Sequence, residues 1–545
     1  MPQSRLYPPS RQRAYFIGAL VLLFLVNAAL LLIPESSLPK ALTVRSGGFA
    51  FPSLGDSGQP ARNLLLIAAV IAAALLSRVT SVRSFARHAW PRWFTQRDGV
   101  LLSAAAAFLL GACLAYPPQI SATNFRIIWV DWAGSDEKVR YFGQILRELF
   151  YSYPHLLQGL ATMVAFLGLQ GIARRMGYGA GEACIAALLV CMSSVFVEFS
   201  GIGEDWTLVS AGSIVVLWTY AARRWGLLIV ALVVLGGLRL PSALILMVAI
   251  SIAETGRVVL LVQANAAHLR SVVFSSGARI AFAWLAVGVL SYLGYMHFTP
   301  LGDDLGRDVP LDIGRIPVDG FLLAPLSGVY LAHALWAMPA VVLAACLAIV
   351  LAFPRLAGST QGRVALVAAL AMGGTLLFYE AFVEFQFYYN YRYLALAYPF
   401  GVVALLFVLA KLGYGRLLAG IVLAALLVWD PSMNVWRPLA GQLSERQRME
   451  HELYSCRDAF APWLAQRNVY VTQGGKALPN AIEYIKDMQG ADTTSRVRRL
   501  KVGGQKFNSR DVVLLQPRSA TIRKFELGNA TRVATCRSWA ILHPR

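Results

Sequence analysis

Charge is what this chain is short of. Asp, Glu, Lys and Arg make up only 14% of its 545 residues, where a soluble domain carries roughly 25%. With 57% hydrophobic residues and a mean hydropathy of +0.57, that deficit excludes an ordinary soluble enzyme. Cysteine is scarce, at six residues. No C-x-x-C or H-E-x-x-H spacing occurs, so nothing points to a structural zinc. Acidic residues are outnumbered 29 to 49, for a net charge of +20. The basic excess lies mainly in short loops between apolar runs and in the C-terminal tail, where such charge orients helices. That distribution argues against a nucleic-acid partner. No long internal repeat or low-complexity tract is present, and the first apolar run has no A-x-A cleavage site, so it reads as a retained anchor.

What is abundant is apolar sequence in runs of about 20 residues, the length that crosses about 30 Å of hydrocarbon as a helix. The expectation is an all-α polytopic membrane protein of about thirteen spans. They fall near 15–34, 61–77, 98–116, 155–172, 181–198, 206–222, 225–238, 241–253, 279–297, 335–354, 364–380, 394–411 and 416–430. Arginines then sort the loops. Arg5, Arg11 and Arg13, the cluster Arg78 to Arg97, Arg174 and Arg175, Arg223 and Arg224, Arg257 to Arg279, Arg355 and Arg363, and Lys411 and Arg416 all fall on one side. The positive-inside rule makes that side cytoplasmic and places the N-terminus there. Residues 225–253 read as two short spans broken at Arg239-Leu240-Pro241, with the geometry of a re-entrant hairpin as an alternative.

Past Asp430-Pro431 the composition becomes charged and mixed. Strand-like runs at 468–471, 511–515 and 538–542 and a helical run at 481–485 predict a small extracytoplasmic α/β domain over residues 431–545. Cys456 and Cys536 are the only cysteines in it, and an oxidising compartment favours a disulfide between them.

The opposite, outer side gathers carboxylates and aromatics. Asp131, Asp136 and Glu137, with Arg140 beside them, put three acids within seven residues. A carboxylate at the membrane surface can act as general base toward a hydroxyl. The same acids have the oxygen chemistry to hold a divalent cation, although the sequence establishes no cofactor. They also suit a capped helix start, with Ser135 at the N-cap. Glu204 and Asp205 precede another span, followed by Trp206 at the interface. Tyr391, Arg392 and Tyr393 precede a third. Arg392 stands on the outer side against the charge bias, at headgroup level, and a guanidinium fork matches a pair of phosphate oxygens.

The order and sidedness of Asp136-Glu137-x-x-x-Tyr141, Gly203-Glu204-Asp205-Trp206-Thr207-Leu208 and Tyr391-Arg392-Tyr393-Leu394 with Pro399 resemble the GT-C superfamily of integral-membrane glycosyltransferases. The likeness is nearest to the protein mannosyltransferase and aminoarabinose transferase type. It covers roughly residues 98–430 and leaves 1–97 as a two-helix extension with a basic cytoplasmic loop. The family's acidic motif usually follows the first span; here it follows the third, and Asp131 rivals Asp136 and Glu137 for the base.

The resemblance implies sugar transfer on the outer face of the cytoplasmic membrane. The donor would be a polyprenyl-phosphate-linked sugar. The acceptor would be a cell-envelope glycan, lipid or protein, and membrane lipids would surround the site. Glu204, Asp205, Arg140, Tyr391, Arg392 and Tyr393 would bind substrate. A transporter or flippase for a lipid-linked or anionic substrate, and a non-catalytic subunit of envelope glycan assembly, are the other classes that fit this composition.

Overall fold

The computed structural model describes residues 154–191, 206–263, 269–298, 340–353, 355–382, 394–412, 452–464, 467–471, 497–499, 507–515 and 530–544, with scattered positions within 15–28, 64–71 and 104–107, and Ile482. Besides helical positions among the scattered residues, the apolar helices with defined bounds are α1 (Pro154–Arg175), α2 (Ala180–Cys191), α3 (Trp206–Ala221), α4 (Trp225–Leu238), α5 (Leu240–Gln263), α6 (Leu269–Phe298), α7 (Ala340–Leu351), α8 (Thr360–Phe382) and α9 (Leu394–Leu412). Four of them hold apolar stretches long enough to span a membrane: Leu156–Arg175, Leu240–Gln263, Val273–Leu290 and Thr360–Phe378. The segments 61–77, 98–116 and 416–430 lie wholly or mostly outside the described residues, and the span expected at 15–34 is described only in part, as helix at 15, 17–25 and 28.

The break expected near 239–241 is a single residue. Arg239 is extended (φ −162°, ψ 99°), and α5 runs on to Gln263, well beyond the short span expected to end at 253. Pro241 sits in the first turn of α5, where its missing N–H costs nothing.

Helices in lipid gain little from burying one apolar side chain against another, so close backbone approach decides their packing. The interior is accordingly rich in alanine: Ala165, Ala183, Ala243, Ala365, Ala368 and Ala404 are buried. Buried hydroxyls return to carbonyls one turn back, as Thr162 to Gln158 at 3.0 Å and Thr375 to Ala371 at 2.7 Å, because no water is available to them. On the periphery α6 turns Phe274, Phe282 and Leu285 outward. Only 22% of its apolar window is buried, against 61% in α1 and α8, so α6 is the least enclosed of these spans among the described residues.

Gly168 and Gly171 bring α1 onto α3. A Cβ at 168 would stand 2.6 Å from the Ile214 side chain, and one at 171 would stand 2.5 Å from the Trp218 indole nitrogen. Gly168→Val is expected to push the two helices apart and cost about 1–3 kcal/mol, read as a lower unfolding midpoint in detergent. An unchanged midpoint would mean that α1 and α3 are not held at this distance.

The C-terminal part folds as a five-stranded mixed sheet behind a short helix, α10 (Arg457–Leu464). Its strands are β1 (Asn468–Val471), β2 (Val497–Arg499), β3 (Asp511–Leu515), β4 (Ala530–Cys536) and β5 (Trp539–Pro544), in the order β2-β1-β3-β5-β4. β1 runs parallel to β2 and β3; β5 is antiparallel to β3 and β4. The alternation of period two divides the strands between two faces. Val469, Val471, Val512, Leu514 and Ile541 pack with Phe460 and Leu464 of α10, while Tyr470, Val513 and Leu542 form a second cluster with Phe507. Asp511 opens β3 by accepting from Asn468 Nδ2 at 3.0 Å and from the Asn508 backbone N–H at 2.8 Å.

Cys456, beside the start of α10, is joined to Cys536 at the end of β4, with Cα atoms 5.7 Å apart across 80 residues of sequence. Closing so long a loop constrains the unfolded chain, and losing the bond is expected to destabilise the tail by about 2–4 kcal/mol. Thiol labelling under denaturing, non-reducing conditions should miss both cysteines. Full labelling of either one would contradict the bond.

Candidate functional site

The candidate site residues Asp131, Asp136, Glu137, Arg140, Glu204, Asp205, Tyr391, Arg392 and Tyr393 all lie outside the described residues. The structure supplies the frame around them, namely which end of the bundle each neighbouring helix starts from. Three contacts define one end. Gln361, in the first turn of α8, donates to the carbonyl of Arg175 at the end of α1 (2.8 Å) and accepts from Lys411 at the end of α9 (3.3 Å). Tyr220, at the end of α3, donates to Glu254 in the second half of α5 at 2.8 Å. Thus α1, α3, α5 and α9 finish where α8 begins.

The helix ends there are closed with care. Gly177 (φ +100°) ends α1 in a Schellman turn, with Tyr178 N–H bonded to Ala173 O at 3.2 Å and Gly177 N–H to Arg174 O at 3.1 Å. Glu182 then accepts from Gly179 N–H at 2.9 Å and opens α2, so this acid has a structural use. Burial, with Glu182 nearby, pushes the Tyr178 hydroxyl up. That hydroxyl donates to Leu406 O at 2.7 Å. Arg174, Arg175, Arg223, Arg257, Arg279, Arg363 and Lys411 all belong to this end, the one the arginine bias assigns to the cytoplasm.

The first residues of α1, α3 and α9 therefore stand at the opposite end. Trp206 follows Glu204 and Asp205 directly, Leu394 follows Tyr391-Arg392-Tyr393 directly, and Asp131, Asp136 and Glu137 precede Pro154 in the sequence. The C-terminal sheet meets the bundle here as well. Leu157 of α1 and Leu208 of α3 join one apolar cluster with Leu453, Phe460, Val471 and Trp539. Thr207 beside them is fully buried, and its hydroxyl has no hydrogen-bond partner among the described residues.

At the arginine end the structure assembles a constellation that sequence reading did not single out. Glu254, 2% exposed, accepts from the Tyr220 hydroxyl and lies 3.3 Å from both Arg363 Nε and Arg257 Nη1. Arg363, 4% exposed, also donates to Ala357 O at 2.9 Å and to Thr360 Oγ1 at 3.5 Å. The available signal was Glu254 itself, the one acid in a 24-residue apolar helix, with Arg257 one turn on. An acid placed so deep needs a cation from another helix, and no sequence spacing says which.

No known protein-family signature matches the chain, and no curated protein matches it. Solved structures similar to it include ArnT from Cupriavidus metallidurans bound to undecaprenyl phosphate and the same protein in the apo state. Each is 13% identical over 81% of this chain and 97% of the other, with TM-scores of 0.34 and 0.33. A likeness this distant assigns no activity.

Proposed function

We infer that the chain is a membrane glycosyltransferase that moves a sugar from a polyprenyl-phosphate donor to an acceptor hydroxyl at the end of the bundle opposite the arginines. That end is the outer face of the cytoplasmic membrane. A carboxylate of the 131–137 loop, Asp136 or Glu137 with Asp131 as the alternative, takes the hydroxyl proton. The acceptor oxygen bonds to the anomeric carbon as the bond from that carbon to the phosphate oxygen breaks. Polyprenyl phosphate leaves with the electron pair, and the anomeric centre inverts. Arg392, with Arg140, offsets the charge gathering on the leaving phosphate, and Glu204, Asp205, Tyr391 and Tyr393 line the same cavity.

The observation that supports this reading is one of sequence adjacency. Asp205 and Tyr393 directly precede the first residues of α3 and α9, and those first turns lie, with that of α1, at the end of the bundle away from the arginines. The test is proximity. Ser135→Cys and Asn390→Cys flank the proposed base and the proposed phosphate ligand. The free cysteines of the described helices, Cys184, Cys191 and Cys346, are buried and should stay silent. A short bifunctional thiol reagent should join the introduced pair in membranes, and a polyprenyl phosphate should slow the reaction. Efficient single labelling at both positions with no joining would overturn the shared site.

A further inference from the structure

The arginine end holds a cavity of about 190 Å³ lined by Tyr220, Arg223, Trp225, Glu254, Arg257, Arg279, Thr360 and Arg363. Four guanidiniums thus meet one carboxylate. That carboxylate is already engaged by Arg363 and Arg257. The Arg223 guanidinium donates to the Thr360 hydroxyl, and Arg279 stands over the Trp225 ring at 5.6 Å; neither has a carboxylate partner among the described residues. Among the described residues, the four guanidiniums at this cavity therefore outnumber the carboxylates that face them.

The backbone sharpens the case. Arg223 has φ 57°, in the left-handed region, and closes α3 in a Schellman turn: Arg224 N–H reaches Thr219 O at 3.1 Å and Arg223 N–H reaches Tyr220 O at 3.0 Å. Glycine normally fills that position, as Gly177 does at the end of α1. An arginine held there at a conformational cost puts a second guanidinium beside Thr360 rather than serving the turn.

We propose that this cavity is a binding site for a phosphoryl oxyanion, supplied either by a phospholipid headgroup or by a soluble phosphate. Planar guanidinium forks approaching from α5, α6 and the α3–α4 turn match the several oxygens of such a group. The buried Glu254–Arg363 pair fixes the floor of the site. Arg223 and Arg279, both exposed, form its mouth at the level where headgroups lie. The site stands at the other end of the bundle from the proposed transfer chemistry and does not depend on it.

Binding is measured with the purified full-length chain at constant ionic strength, as a concentration-dependent rise in unfolding temperature. One arm titrates inorganic phosphate against chloride in detergent. The other compares nanodiscs of phosphatidylcholine alone with nanodiscs that also contain phosphatidylglycerol. Arg279→Gln should weaken binding about tenfold or more, and Arg223→Gly should weaken it comparably. Arg223→Gly also relieves the left-handed backbone, so its ligand-free stability should hold or rise, which separates lost binding from lost folding. Lys411→Gln, at the same end but outside the cavity, should bind as wild type. Loss in the phosphate arm assigns a soluble ligand; loss confined to the phosphatidylglycerol arm assigns a lipid headgroup. Unaltered binding in the Arg223→Gly/Arg279→Gln double variant, equal weakening by Lys411→Gln, or no saturable binding of either probe would overturn the site.

Discussion

Membranes carrying Asp136→Asn are expected to consume a polyprenyl-phosphate sugar about 10²–10⁴-fold more slowly than wild type, with the protein present at normal levels. Asparagine keeps the size and most of the hydrogen bonding of aspartate but cannot accept the acceptor proton. The loss should therefore fall on turnover rather than on donor affinity. Arg392→Lys should do the reverse. It keeps the charge but gives up the fork that pairs two phosphate oxygens, so donor affinity weakens first. Transfer of the turnover loss to Asp131→Asn, with Asp136→Asn near normal, would name Asp131 as the base. Near-normal turnover in Asp131→Asn, Asp136→Asn and Glu137→Gln alike would remove the loop from the chemistry.

Glu254→Gln is expected to destabilise the bundle by about 3–5 kcal/mol, the largest stability effect anticipated for a single substitution. Arg363 is almost wholly enclosed, and among the described residues Glu254 is the one carboxylate that faces it. Removing that charge leaves a buried guanidinium uncompensated, with Arg257 and Arg223 beside it. Glutamine can still accept from Tyr220 but cannot neutralise Arg363. Removing both members, as Glu254→Met with Arg363→Met, should recover part of the loss, because apolar side chains avoid the desolvation cost that both ions bear. Denaturant unfolding in detergent reads both variants. Equal loss in the single and the double variant would show that the pair acts by shape rather than by charge.

Much of the helical frame was legible because hydropathy and the arginine bias report on solvent, and solvent is set by position along the chain. The span expected at 206–222 is α3 at Trp206–Ala221, and the one at 394–411 is α9 at Leu394–Leu412. Boundaries slipped where apolar pattern and hydrogen bonding diverge. α5 carries Glu254 and Arg257 inside the helix, and those charges made 253 look like its end. They are tolerated because Tyr220 and Arg363 reach Glu254 from α3 and α8, and Arg257 pairs with Glu254 one turn away. In the tail the strands Asn468–Val471 and Asp511–Leu515 were visible as apolar runs. β2 (Val-Arg-Arg) and β4 (Ala-Thr-Arg-Val-Ala-Thr-Cys) are edge strands of the sheet, too polar to announce themselves. The arginine cavity was the least legible feature. It is built from five separate helices and a turn, and convergence of that kind is a tertiary fact. The outer-face motifs are the converse case: visible as short acidic and aromatic runs in the sequence, they lie outside the described residues.

The central claim, sugar transfer at the outer face, is tested most directly by profiling lipid-linked sugars in a strain that lacks this chain. Each membrane leaflet is assayed separately with an impermeant oxidant. The account predicts that a polyprenyl-phosphate sugar accumulates in the outer leaflet, exposed to the oxidant, and that it disappears when the wild-type chain is restored but persists with Asp136→Asn. Accumulation confined to the inner leaflet would mark a transporter instead. A profile unchanged by the deletion would contradict the transferase itself.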